Sequence, residues 1–319
     1  MPAIDTEVMM KRIVLFQAVR FRALGTDVLV CSPAASDLSR TIRDAVDEHE
    51  ERFSRFRPSS ELEWLSARAG DETAVSPELF EVLSLAASFW CETQGVFDPL
   101  VRRELEAAGY DRTFERVPAA SSAPAAAPER RRPTFASVAL DPETRSVRLP
   151  QGGALDLGGI AKGWVVDRLG ALLDPYGPYL VDIGGDIVAR GDGPDGSAGW
   201  LLSVADPYRE GHDSCWLRLD GQAVATSTTM RRRWRRAGRW QHHLIDPRTG
   251  RPAESDLVQV TVVAPSAVQA DVYAKTALIL GREQGLAWLA RRALPALLIG
   301  PGGASSTYDW QHFALPVHA

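Results

Sequence analysis

Cysteine is scarce: the 319-residue chain holds Cys31, Cys91 and Cys215 and no others. They are odd in number, far apart and without metal-type spacing, which argues against a disulfide framework or a zinc cluster and fits a reducing compartment. Long apolar runs are also missing. The first 22 residues carry Asp5 and Glu7 and one short apolar run, Ile13 to Phe16, too short for the core of a secretion signal. No stretch approaches the roughly 18 apolar residues of a spanning helix, so the expected location is cytoplasmic, with no membrane span. An excess of positive charge is absent as well. The 36 Lys and Arg against 41 Asp and Glu leave a net charge of -5, whereas binding along a phosphate backbone normally needs a basic domain. The glycine-bearing segment Leu155 to Asp167 has neither the glycine spacing of a dinucleotide fingerprint nor the Lys-Ser/Thr of a Walker loop,.

The composition that remains, 45% apolar and 24% charged, can bury a substantial core in one large domain or two ordinary ones. Extended runs at Gln17 to Arg22 and Asp27 to Cys31 flank Leu24-Gly25-Thr26 and read as a hairpin. A helix is expected from Asp37 to about Phe53, with Ser36 as its cap and Leu38, Ile42, Val46 and His49 on one face. Ser76-Pro77-Glu78 starts another, which Gly95 ends. Residues 118–133, rich in Pro, Ala and Ser, read as an exposed loop or disordered insertion. Short strands then lie at Ser137 to Leu140 and Ser146 to Leu149, and a glycine turn opens a helix at Ile160 to Leu173. Further strands are expected at Tyr179 to Val188, Trp200 to Ala205, Trp216 to Leu219, Ala223 to Thr226, His242 to Ile245 and Val258 to Val263. A helix pair, Ser266 to Leu280 and Arg282 to Arg291, precedes closing strands near Ala296 to Ile299 and Trp310 to Ala314. Strands grouped together with helices between the groups predict an α+β fold.

Four segments carry chemistry. In Leu155-Asp156-Leu157-Gly158-Gly159-Ile160-Ala161-Lys162, small residues at a helix entrance let a phosphate approach backbone N–H groups and Lys162 adds charge; a purely structural glycine turn accounts for the same residues. In Tyr179 to Ile187, Gly184 and Gly185 interrupt an extended run, as a bulge or a close approach to a ligand. His242 and His243 enter the turn Asp246-Pro247-Arg248-Thr249-Gly250, and alternation lets only one of them face a given side. Asp271, Ala274, Lys275 and Leu278 share a helix face, so Asp271 either pairs with Lys275 or offers a hard oxygen to Mg²⁺. The run Arg231 to Arg236 reads as a solvated strand face or a patch for an acidic partner.

In this order the four segments resemble the FAD:protein FMN transferase (ApbE-type) family. The likeness is reinforced by Leu24-Gly25-Thr26, by Phe53-Ser54-Arg55-Phe56-Arg57-Pro58-Ser59-Ser60-Glu61-Leu62, by Thr93-Gln94-Gly95-Val96-Phe97-Asp98-Pro99 and by Ala225-Thr226-Ser227. The resemblance implies one α+β unit over residues 1–319, of mixed, largely antiparallel sheet with packed helices, whose two halves flank a flavin cleft. It implies Mg²⁺-dependent transfer of the FMN moiety of FAD to a Ser or Thr hydroxyl of an acceptor flavoprotein, releasing AMP. Carried over by motif, Leu24, Phe56, Val96, Phe97, Asp98, Asp156, Lys162 and Ile245 contact FAD. Gly159 presents a carbonyl and Asp271 a carboxylate to the metal. His243 takes the acceptor's proton or steadies the transferring phosphoryl group, with Lys162 beside it. Two positions depart from the family: Lys275 stands where a Thr is usual, with Thr276 displaced by about 100° around the helix, and Ser227-Thr228 replaces a Ser-Gly pair. A cation at 275 competes with a metal, so Lys275 is expected to replace part of the metal's charge or weaken its binding. The alternatives are a protein that holds FAD without transferring FMN, and a metal-dependent FAD pyrophosphatase yielding FMN and AMP.

Overall fold

The structure, a computed structural model, describes residues 15–122 and 132–315. Its centre is a sheet of eight strands: β1 Gln17–Ala23, β2 Thr26–Ser32, β3 Tyr179–Ile183, β4 Asp186–Arg190, β5 Gln222–Thr228, β6 Gln259–Ala264, β7 Ala296–Gly300 and β8 Gly303–Ser306. Each pairs antiparallel with the next in chain order. The long excursions between neighbours carry everything else. Between β2 and β3 lie helices α1 Ser39–Phe53, α2 Pro77–Glu92 and α3 Ala161–Leu173; between β6 and β7 lie α4 Ala267–Leu280 and α5 Arg282–Ala290.

Period-2 alternation divides the sheet into two faces. Val28, Val30, Val181, Ala225, Val260 and Val262 pack under the helices. Leu180, Val224, Val263 and Ile299 pack the other way, against Trp200, Leu217 and Trp310. The central strand β6 is buried at all six positions. This largely antiparallel α+β arrangement is the fold class that the sequence predicts.

Several expectations change in detail. Residues 179–190 form a two-residue hairpin rather than a bulged strand, because Gly184 (φ 65°) and Gly185 (φ 95°) both take positive φ, the geometry that suits a tight turn between twisted strands. The first helix begins at Ser39 without a side-chain cap; the Ser36 amide is bonded to the Gln17 side chain instead. The strand of His242 stops there, because Leu244 N–H donates to its ring at 3.3 Å. Residues Tyr308–His312 form a 3₁₀ turn, not a strand. Thr307 sets it by donating to the Leu294 carbonyl and accepting from the Ala296 amide, which turns Trp310 into the second core. Most of the expected loop 118–133 lies outside the described residues. Its near end pairs with a strand, Ala120 opposite Arg235, and at its far end Arg132 bonds Asp98 at 2.8 Å.

Helices α3 and α4 bring the chemical segments together, and two features fix their contact. The Asp167 carboxylate of α3 accepts from the Ala267 and Val268 amides at 2.7 and 3.0 Å, capping α4 across the interface. Gly163 leaves room for that approach: a Cβ there would meet Val268 Cα at 2.6 Å and the Ala267 carbonyl at 2.7 Å. Both neighbours are backbone. Gly163→Ala should therefore cost about 1–3 kcal/mol by overpacking, whereas Gly302→Ala, in open space, should stay within about 0.5 kcal/mol. Urea unfolding of the two variants checks this.

Candidate functional site

One cleft of ≈ 340 Å³ collects most of the residues the sequence singles out, a volume ordinary for a small-molecule site. Leu24, Phe56, Val96, Phe97, Asp98, Asp156, Gly159, Lys162, His243, Ile245 and Lys275 all line it. They come from both halves of the chain. Leu24 and Phe56 arrive from the first hairpin and the turn after α1, Val96 to Asp98 from the turn after α2, and Gly159 and Lys162 from the entrance to α3. The segment around His243 and helix α4 close the other side.

The cleft has an aromatic end and a charged end. At the first, Ile245 packs in a small core with Tyr110 and Trp234, with Phe56 and Phe114 against them. The Arg55 guanidinium lies over the Phe56 and Tyr110 rings at 4.1 and 4.5 Å and its Nε is 2.5 Å from Asp156 Oδ2. The other Asp156 oxygen accepts from the Gly158 amide. Ile160 and Ala161 N–H both donate to the Leu157 carbonyl. Three amides at the α3 entrance are thus already bonded, so positive charge for an anion comes here from side chains more than from the helix end.

At the charged end the β3–β4 hairpin sets Asp186 beside α3, where the Lys162 ammonium bonds its carboxylate. Lys162 Nζ also lies 3.8 Å from Asp271 Oδ2, and Lys275 Nζ lies 3.6 Å from Asp271 Oδ1. Burial works against charge on Lys162, but Asp186 and Asp271 outweigh it and raise its pKa, holding it as ammonium. Burial, and after it the Asp271 carboxylate, push Asp186 up to about 7,.

Four buried polar atoms here lack a hydrogen-bond partner among the described residues: Arg55 Nη2, His243 Nδ1, Asp271 Oδ2 and Lys275 Nζ. Such atoms are rare in folded proteins and call for an explanation, and a bound polar ligand supplies one. His242 is different. Its Nε2 pairs with the Ala253 carbonyl and its Nδ1 with the Leu244 amide, so of the two histidines it is His243 that lines the cleft with a free ring nitrogen. Thr276 is fully buried, its hydroxyl donating to the Val272 carbonyl within the helix, and does not line the cleft. Asp98 reaches the wall with both oxygens engaged, one by the Leu100 amide and the other by Arg132.

Sequence reasoning assigned no role to Asp186, Arg55 or Arg232. Asp186 directly follows Gly-Gly, so a hairpin reading there would have found it. Arg232 is hidden in a run that reads as surface, yet it lines the cleft and bonds the Gly25 carbonyl at 3.2 Å. Elsewhere in that run the surface reading holds: Arg233 and Arg235 lie over the exposed Trp240 ring.

The family model described as ApbE matches residues 17–298. The FAD:protein FMN transferase of Vibrio cholerae is 31% identical, the match covering 84% of this chain and 81% of that protein. With several other proteins of that name the match is shorter, and the chain spans about half their length, 42 to 48%. Among solved structures, an ApbE protein from Thermotoga maritima superposes with a TM-score of 0.82 at 24% identity, covering 95% of this chain and 100% of that one. The flavinyl transferase ApbE of Pseudomonas stutzeri, in its apo form, gives 0.79 at 26% identity over 95% and 98% of the two chains.

Burial first, then the charges of Arg232, His242 and Lys275, hold His243 well below its ordinary pKa of 6.5. The unfolded chain takes up a proton at this ring near pH 6.5 and the folded chain does not. The neutral ring's contribution to stability is therefore full above that pH and lost below it. Acidification from about pH 7.5 to about pH 5.5 should lower the urea midpoint of the wild type more than that of His243→Gln. Equal shifts in the two proteins would mean that the ring titrates freely in the folded state.

Proposed function

Because the chain belongs to the ApbE family, we propose that its cleft binds FAD and that the protein transfers the FMN moiety to a Ser or Thr hydroxyl of an acceptor flavoprotein, with AMP as the leaving group. The observation that carries this reading is one cleft with an aromatic wall at Phe56 and Tyr110, two ammonium groups at Lys162 and Lys275, and a neutral histidine with a free nitrogen. A planar heteroaromatic ring suits the first and a diphosphate the second. On this reading residues 1–319 work as one flavin-handling unit.

Transfer asks for positioning and for neutralisation of charge on the phosphoryl oxygens. The acceptor oxygen attacks the phosphorus on the FMN side, the bond from that phosphorus to the bridging oxygen breaks, and AMP departs with the bridging oxygen. The hydroxyl proton passes to His243, which burial keeps neutral and so able to accept it,. Lys162, held charged by its two carboxylates, adds positive potential behind the diphosphate while remaining bonded to Asp186.

The family resemblance also calls for Mg²⁺, and the residues do not suit it. Mg²⁺ is content with one or two carboxylates plus substrate phosphates, and Asp271, although not among the residues that line the cleft, is the carboxylate beside both ammonium groups. Its two oxygens, however, already face ammonium groups at 3.6 and 3.8 Å. Gly159, the expected carbonyl ligand, sits against the same Lys275 ammonium, which a Cβ at that glycine would overlap. A dication about 4 Å from an ammonium is repelled by roughly 8 kcal/mol at an effective dielectric constant of about 20. Neutralisation at the diphosphate accordingly falls to side chains.

Incubation with FAD and a threonine-bearing acceptor flavoprotein, followed by mass measurement of the acceptor, tests the reading. A flavin-phosphate adduct is the expected result. Free FMN with AMP would replace it with hydrolysis, and unchanged bound FAD with simple storage. Lys162→Met should lower kcat/KM by about 100-fold or more, as loss of one preorganised donor does, with the circular dichroism spectrum unchanged.

A further inference from the structure

Lys275 is hard to account for as a helix ornament. An i,i+4 pair on an exposed face leaves both heads in water, yet here the Lys275 Nζ is buried, has no hydrogen bond among the described residues, and stands 3.6 Å from Asp271 Oδ1, too far for a hydrogen bond between them. A buried ammonium with three unused donors is costly. Those donors are open to a ligand, since Asp271, the nearest carboxylate, attracts the ammonium from 3.6 Å without bonding it. The geometry around Nζ also makes space for it, since Gly159 is the residue against which the ammonium rests and any side chain there would displace it. Finally, Nζ belongs to a residue that lines the cleft, whereas the Lys162 ammonium is already bonded to Asp186.

We propose that the Lys275 ammonium is the cation that meets the FAD diphosphate, standing where a divalent metal would otherwise be held by Asp271 and the Gly159 carbonyl, so that this chain binds FAD without a metal. The proposal rests on the reading of the cleft as an FAD site. Asp271 then serves as the ammonium's anchor rather than as a metal ligand: it fixes the lysine head from below while the head's donors point to phosphate oxygens. No bond is made or broken at Lys275, and its part is to offset charge.

The test is FAD titration by flavin fluorescence in EDTA and in Mn²⁺, together with the electron paramagnetic resonance signal of Mn²⁺, on the wild type and on Lys275→Met, which keeps the length and removes the charge. The wild type should bind FAD equally in both buffers and leave Mn²⁺ free in solution. Lys275→Met should bind FAD about tenfold more weakly or worse, the loss of a charge-assisted contact. Stoichiometric Mn²⁺ binding by the wild type, with FAD affinity that depends on it, would overturn the proposal while leaving the FAD site intact. So would Lys275→Met binding FAD like the wild type. No FAD binding in either buffer would overturn the reading of the cleft and the proposal with it. If Lys275→Met does not fold, judged by its melting curve, the two wild-type measurements still decide.

Discussion

The site depends on a buried quartet of charges, Lys162, Asp186, Asp271 and Lys275, held where the start of β4 meets helices α3 and α4. Two carboxylates and two ammonium groups sum to zero, and that balance is what makes burial tolerable. Removing one member would strand an uncompensated charge, a loss typically larger than the pair itself is worth. Such a cluster is poor as a source of stability. Its service is to hold charge in a fixed place, and this requires the elements that carry it to be fixed first.

They are fixed by ordinary packing chemistry. Gly163 brings α3 against the backbone of α4, and Asp167 caps α4 from within α3, so Lys162, next to Gly163, and Asp271, one turn on from Ala267 and Val268, are held at a set separation. The tight hairpin at Gly184-Gly185 does the same for Asp186. Burial raises the Asp167 pKa while the two amide hydrogen bonds oppose the shift, so desolvation outweighs the contacts. The carboxylate at this interface has thus been placed for geometry at some cost in solvation.

Much of the fold was legible in the sequence because local signals agreed with tertiary context. The Ser76-Pro77 start of α2 is an example: the serine hydroxyl does accept from the Leu79 amide. The clustering of Lys162, His243 and the Asp271 helix around one cleft was legible as well, from segment order. What escaped were features set by long-range partners. Nothing local to Tyr308–His312 announces that Thr307 will be pinned by residues 294 and 296. The pairing of Asp186 with Lys162 joins positions 24 residues apart, and the hairpin that makes it needs positive φ at two glycines that serve a bulge equally well in sequence. Strand alternation alone could not choose between His242 and His243, because the choice is made by two hydrogen bonds of the His242 ring, Nε2 to the Ala253 carbonyl and Nδ1 from the Leu244 amide, where the strand ends.

Glycines before a helix suggest that backbone amides will cradle an anion, yet the amides of Gly158, Ile160 and Ala161 are bonded within the turn. These glycines contribute differently. Gly158 lets the turn fold back onto Asp156, which in turn anchors Arg55 over the aromatic wall, and Gly159 clears space for an ammonium from α4. Positive charge reaches the cleft on flexible side chains whose positions are set by carboxylates. Its strength is therefore governed by which carboxylates are ionised, and Asp186 is pushed up to about 7 by burial and by the Asp271 carboxylate.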